Sequence, residues 1–247
     1  MYLNGKVVVA TGASGGIGEA VVRDLASAGA KLVITARSAD KLARLAGELG
    51  DAAYLAGEVT DETLPRRLLD LAIERFGRAD ILFNNAGVMH VGSIEDTDID
   101  KACAMVRINV EAVFRTALTF LKHFKRQGSG YLINTSSIAG VMIRQNIGAY
   151  AGTKHAVEAF TESLQMELAG TDIGVAAIEP GTVATGLYRD WDKSSQDWVN
   201  SEGVLAPEDI ARAVRFILEQ PTHVRIPRML VLPAGAHAER PTIAAAG

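Results

Sequence analysis

Short runs of β-branched and apolar residues alternate with longer stretches of helical period along nearly the whole chain. KVVVA precedes Ile17 to Ala28, KLVIT precedes Ala39 to Leu49, AAYLA precedes Leu64 to Phe76, and DILFN precedes Ile99 to Lys125. The second half continues with YLINT, Ala149 to Ala169, GVAAI, Pro207 to Glu219 and MLVLP. Strands written as continuous apolar runs are buried on both faces, which requires helices above and below a parallel sheet. The alternation therefore predicts one α/β domain over residues 1–247, doubly wound, with seven parallel strands in the order 3-2-1-4-5-6-7. A chain of 247 residues suits one such core better than two small ones.

Composition narrows the partners. A net charge of −4 with no cationic stripe argues against nucleic acid, which needs clustered cations to displace counterions. The opening MYLNGKVVVATG has no cationic segment followed by an apolar run, and no apolar run approaches the roughly 20 residues of a membrane span. A cytoplasmic protein without membrane contact is expected. Cys103 sits among apolar neighbours in ACAMVRI at helical spacing, which predicts a buried structural thiol. His123, His223 and His237 share no ligand spacing with one another or with carboxylates, so no catalytic metal is expected.

TGASGGIG, Thr11 to Gly18, joins the first strand to the first helix. Glycines there let the backbone approach a pyrophosphate while the helix N-terminus offers free N–H groups. That position makes a dinucleotide-binding, Rossmann-type turn the favoured reading over a plain tight turn.

TGxxxGxG, NNAG at Asn84 to Gly87, a serine at Ser137, YxxxK at Tyr150 to Lys154, and PGTV at Pro180 to Val183 follow in order. Together they resemble the short-chain dehydrogenase/reductase family, over essentially the whole chain. The resemblance implies a nicotinamide cofactor touching Gly12, Ser14, Gly16, Ile17 and Gly18, then Glu58 and Val59 at the adenine. Asn85 and Gly87 would lie near the ribose, with Thr11 bracing their loop, and Val183 and Thr185 would hold the carboxamide. It also implies hydride transfer between a carbonyl and an alcohol, and a homo-oligomer, tetramer or dimer, built on the helices Ile99 to Lys125 and the one carrying Tyr150. The ending MLVLPAGAHAERPTIAAAG departs from the family's usual strand exit.

An acid about 20 residues beyond the glycine motif ordinarily grips the ribose hydroxyls of NAD. Ala36 stands there, followed by Arg37, whose planar charged fork suits the 2′-phosphate of NADP. NADP(H) is the predicted cofactor, with Ser38 and Lys41 as secondary phosphate partners. The alternative is that Arg37 is a solvated charge near the start of a helix, although a cation gains nothing from that end of a helix dipole.

Tyr150 and Lys154 lie four positions apart on one helix face. A phenol with a pKa of about 10 is a poor base at neutral pH. An ammonium about 5 Å away, at an effective dielectric of about 20, supplies roughly 3 kcal/mol towards its anion. Tyr150 is then the expected general acid/base. The resemblance selects Ser137, thirteen residues before the tyrosine, over Ser136 for the hydrogen bond to the reacting oxygen, and assigns Asn109 to a proton path behind Lys154. A small carbonyl or alcohol is the expected substrate, lined by Met142, Ile143 and Arg144 and by Tyr188 and Trp191; His90 either faces the cleft with Met89 or lies at the surface. Tyr188 and Trp191 fall on a substrate lid around 186–205, the polar insertion after GVAAI. Arg144 suggests an acidic group on the substrate. Two alternatives stand: an NAD-preferring sugar or hydroxy-acid dehydrogenase, and a non-catalytic NADP(H) sensor.

Overall fold

The computed structural model describes residues 3–188 and 203–236. Seven strands form one parallel sheet: β1 (Val7–Thr11), β2 (Lys31–Ala36), β3 (Ala52–Ala56), β4 (Ile81–Asn84), β5 (Gly130–Thr135), β6 (Ile173–Pro180) and β7 (Arg228–Val231). Their order is β3-β2-β1-β4-β5-β6-β7, the order the alternation predicts. The helices are α1 (Gly16–Ser27), α2 (Ala39–Leu49), α3 (Leu64–Phe76), α4 (Ile99–Val106), α5 (Ala112–Gln127), α6 (Gly148–Glu167) and α7 (Pro207–Glu219).

The strand period of two divides the core between the two faces. Val8, Ala10, Leu32, Ile34, Ile81, Phe83, Ile133 and Ile178 pack with the apolar faces of α1, α2 and α7. Val7, Val9, Val33, Leu82, Leu132 and Val175, on the alternate positions of the same strands, pack instead with α3, α5 and α6. All eight residues of β6 are buried, whereas the edge strand β7 alternates exposed and half-buried positions. The strand turning point between β1 and β4 lies centrally, and its carboxyl edge is where an open α/β sheet leaves a crevice.

Two expectations change. The long helix predicted from Ile99 to Lys125 is interrupted by a π-helical turn, Arg107–Glu111, between α4 and α5. A wider turn of this kind often accompanies a functional residue, and Asn109 sits in it, fully buried. Cys103 is exposed, not a buried thiol. Met105 is the buried residue of α4, while Ile99 and Val106 are exposed as well, so apolar spacing there does not mark a covered face.

Candidate active site

One cleft of about 900 Å³ runs along the carboxyl edge of the sheet. At its centre, Gly12 (φ 66°) and Gly16 (φ 53°) adopt left-handed backbone, and a side chain on Gly18 would overlap the Gly12 carbonyl. No side chain caps the N-terminus of α1. The helix start, Gly15 to Gly18, lines the cleft beside Ser14, so its uncapped N-terminus stands at the cleft wall, an arrangement that fits an anionic ligand. The Thr11 hydroxyl accepts hydrogen bonds from the backbone N–H of Asn85 (2.9 Å) and Ala86 (3.0 Å), tying the loop after β4 to β1. Thr135 Oγ1 donates to Asn85 Oδ1 at 3.2 Å from the other side.

One end of the cleft is bounded by Ala36, Arg37, Ser38, Lys41, Gly57, Glu58 and Val59. Ala36 is buried at the end of β2; Arg37 and Lys41 are exposed and form no ion pair among the described residues. Ser38 holds the N-cap position of α2 without a capping hydrogen bond from its side chain. Two cations and a hydroxyl thus meet at one helix start.

The other end gathers Ser137, Tyr150 and Lys154. Ser137 follows β5, and its Oγ accepts from the Ala139 N–H at 3.1 Å. Tyr150 and Lys154 are 6% and 5% exposed on the inward face of α6. Lys154 Nζ donates to the Thr135 carbonyl at 2.9 Å and lies 5.8 Å from the centre of the Tyr150 ring. Burial pulls the Lys154 ammonium down to about 8, with the charge of Glu158 opposing the fall. Behind them, Asn109 clamps the backbone after NNAG. Its Oδ1 accepts from Val88 N–H at 2.9 Å, and its Nδ2 donates to the Val88 carbonyl at 2.8 Å and to Thr153 Oγ1 at 3.2 Å.

Gly87, Val183 and Thr185 also line the cleft. A Cβ on Gly16 would stand 3.0 Å from Thr185 Cγ2, so the segment after β6 closes against the glycine loop. Beyond Tyr150 the walls are Val88, Met89, Met142, Ile147 and Leu187, with Arg144 as the added cation. Ile143, 64% exposed, lies outside the cleft, contrary to expectation, and His90 takes the surface position that stood as its alternative. Tyr188 ends a 3₁₀ turn at Gly186–Tyr188; Trp191 and most of the expected lid lie outside the described residues, as does His237.

Two buried polar groups were missed in the sequence. Asn84 Nδ2 donates to Asn134 Oδ1 (3.1 Å), whose amide donates to Thr161 (2.9 Å), a chain linking β4 and β5 to α6 under the site. The carboxylates Glu158 and Glu179, met by the exposed Arg228 guanidinium, form the second. A polar letter inside each apolar strand, Asn84, Asn134 and Glu179, was the available signal.

The chain matches the short chain dehydrogenase family over residues 6–196. It is 36% identical over 233 residues to a Staphylococcus aureus protein named as an uncharacterized oxidoreductase, covering 94% of this chain and 98% of that one. An alcohol dehydrogenase from Thermococcus sibiricus, solved with 5-hydroxy-NADP, superposes with a TM-score of 0.84 at 32% identity, covering 95% and 99% of the two chains. A 3-ketoacyl-(acyl-carrier-protein) reductase from Brucella melitensis, solved with NADH, gives 0.85 at 31%, covering 93% and 97%. This protein belongs to the short chain dehydrogenase family of oxidoreductases. Among the described residues no helix is long and apolar enough to cross a membrane, and no group of three or more His, Cys, Asp or Glu could hold a metal ion.

Proposed function

We propose that this chain is an NADP(H)-dependent oxidoreductase that interconverts a carbonyl and a secondary alcohol, with Tyr150 as general acid/base. The observation that carries the reading is a single cleft whose two ends hold different chemistry. Arg37, Ser38 and Lys41 stand at one end, and Ser137, Tyr150 and Lys154 at the other, with an uncapped helix start between them. The residues present fit the cofactor. Gly12, Gly16 and Gly18 leave the backbone bare where a pyrophosphate would rest, Ala36 presents no acid to repel a 2′-phosphate, and Arg37 and Lys41 offer it charge.

When bound, the nicotinamide supplies the hydride in reduction and receives it in oxidation. Tyr150 donates its phenolic proton to the carbonyl oxygen in reduction and takes it back in oxidation. Ser137 hydrogen-bonds the same oxygen as negative charge grows on it. Lys154, fixed by the Thr135 carbonyl, stabilises the phenolate left behind. Asn109 holds the Val88 backbone, and with it the loop that closes the site over the lysine. The oxidised product of one direction is the substrate of the other, so the residues serve both.

This assignment sets a pH dependence. Lys154 is cationic below about pH 8 and loses its charge above it. The kcat/KM for NADPH, which reports free-enzyme ionisations, should be level below that point and fall as pH rises through it. A profile that stays level to about pH 10, near an unperturbed lysine, would contradict the assignment.

The substrate end is apolar apart from Arg144, which favours a carbonyl compound with an apolar body and an acidic group. Arg144→Ala should raise KM for a carboxylate-bearing carbonyl about tenfold, and leave its neutral amide within about twofold, by steady-state kinetics. Exposed Leu118 on α5 and Met166 on α6 support assembly as a homo-oligomer. A cytoplasmic setting belongs to the same reading, consistent with a lone, exposed thiol.

A further inference from the structure

Glu158 lies one helical turn after Lys154, on the same side of α6. Its side chain is 12% exposed. Facing it are Glu179, 3% exposed near the end of β6, and Arg228 on the edge strand β7. Arg228 Nε donates to Glu179 Oε1 at 2.6 Å and stands 3.5 Å from Glu158 Oε2, so one guanidinium serves two carboxylates. Glu162, on the same helix, adds its field at Arg228. From the loop after β5, Ser136 completes the surroundings; its buried hydroxyl faces Glu158 and favours the ionised carboxylate. Gly140 makes the closure possible. A Cβ there would stand 2.6 Å from Ser136 Oγ, 3.0 Å from Glu158 Cγ and 3.1 Å from the Lys154 carbonyl.

Buried charge is tolerated when it is balanced. Arg228 meets Glu179 at 2.6 Å and Glu158 at 3.5 Å, so two buried carboxylates share one guanidinium, and Lys154 is the buried cation one turn away from Glu158 on α6. Lys154 makes no direct ion pair among the described residues; Nζ donates to the Thr135 carbonyl, so the balance with Glu158 acts through space. We propose that Glu158, anchored beside Arg228, is the counter-ion of Lys154 and a positioning residue that acts on Tyr150 through the lysine. The role rests on the reading of Tyr150 and Lys154 given above. Burial pushes the Glu158 carboxyl up, and Glu158 is the charge that opposes the fall of the Lys154 ammonium.

The test is a titration of the cofactor-free protein labelled with ¹³Cε-lysine, the Lys154 signal being assigned by its loss in Lys154→Arg. Glu158→Gln, which keeps shape and removes charge, should lower the Lys154 midpoint by roughly one unit, whereas Glu158→Asp should stay near wild type. The high-pH limb of kcat/KM should move with it. A packing role would give the reverse ranking, because the shorter Asp disturbs shape more than Gln does. Coupling is reciprocal, so Lys154→Met should raise the ¹³Cδ titration of Glu158 by the same amount, a check that does not depend on folding of Glu158→Gln. Unmoved midpoints in both directions would overturn the counter-ion, and a moved midpoint with an unmoved rate limb would overturn the positioning role. Failure of the Tyr150 reading shows separately, as turnover retained in Tyr150→Phe.

Discussion

Tyr150→Phe should lower kcat by about three orders of magnitude while leaving the Kd for NADPH within about threefold. The ring packs with Met105, Ala139 and Ala151, so phenylalanine keeps the apolar contacts and loses only the hydroxyl. Lys154 stays where it is, because the Thr135 carbonyl and not the phenol receives its proton. The variant thus removes the proton donor while the apolar contacts of the ring and the Lys154–Thr135 hydrogen bond remain. Single-turnover kinetics with a fluorescence titration of the cofactor separate the two quantities. Turnover within about tenfold of wild type would remove Tyr150 from the chemistry.

The second large effect concerns cofactor choice. Arg37→Ala should reduce kcat/KM for NADPH about a hundredfold and leave NADH within about threefold, the loss expected of one charge-assisted phosphate contact. Adding Ala36→Asp should then favour NADH, moving the ratio of the two kcat/KM values by about three orders of magnitude. Ala36 is buried at the end of β2, while Arg37 is exposed and unpaired with any described acid, so its removal breaks no ion pair of the fold. Comparable use of both cofactors by the wild type, or unchanged NADPH use in Arg37→Ala, would defeat the assignment. The family itself does not decide the matter, since the solved relatives include complexes with an NADP derivative and with NADH.

A parallel sheet covered on both faces could be derived from the sequence because the central strands are apolar on consecutive residues, and the strand order followed from the usual doubly wound arrangement. The helix bounds of α2, α3 and α7 were legible for a related reason, each having a buried stripe and an opposite polar face. α4 has no such stripe. Only Met105 is buried there, so the apolar spacing around Cys103 said nothing of burial, and a π turn leaves no mark in a 3.6-residue period. At the site, Tyr150 and Lys154 could be paired because one helix carries both. Glu158, Glu179 and Arg228 could not, because they come from α6, β6 and β7 and meet only through the tertiary fold. Ile143 shows the limit of loop reading: its neighbours Met142 and Arg144 line the cleft, yet it points to solvent.

The most direct test of the account is the fate of a label. Reduction of a carbonyl substrate with NADPH carrying two deuterons at nicotinamide C4, followed by NMR of the product, should place one deuterium on the new carbinol carbon. The same reaction in Tyr150→Phe should yield almost no product although the cofactor is bound. An alcohol formed without deuterium, or formed equally well by that variant, would contradict it.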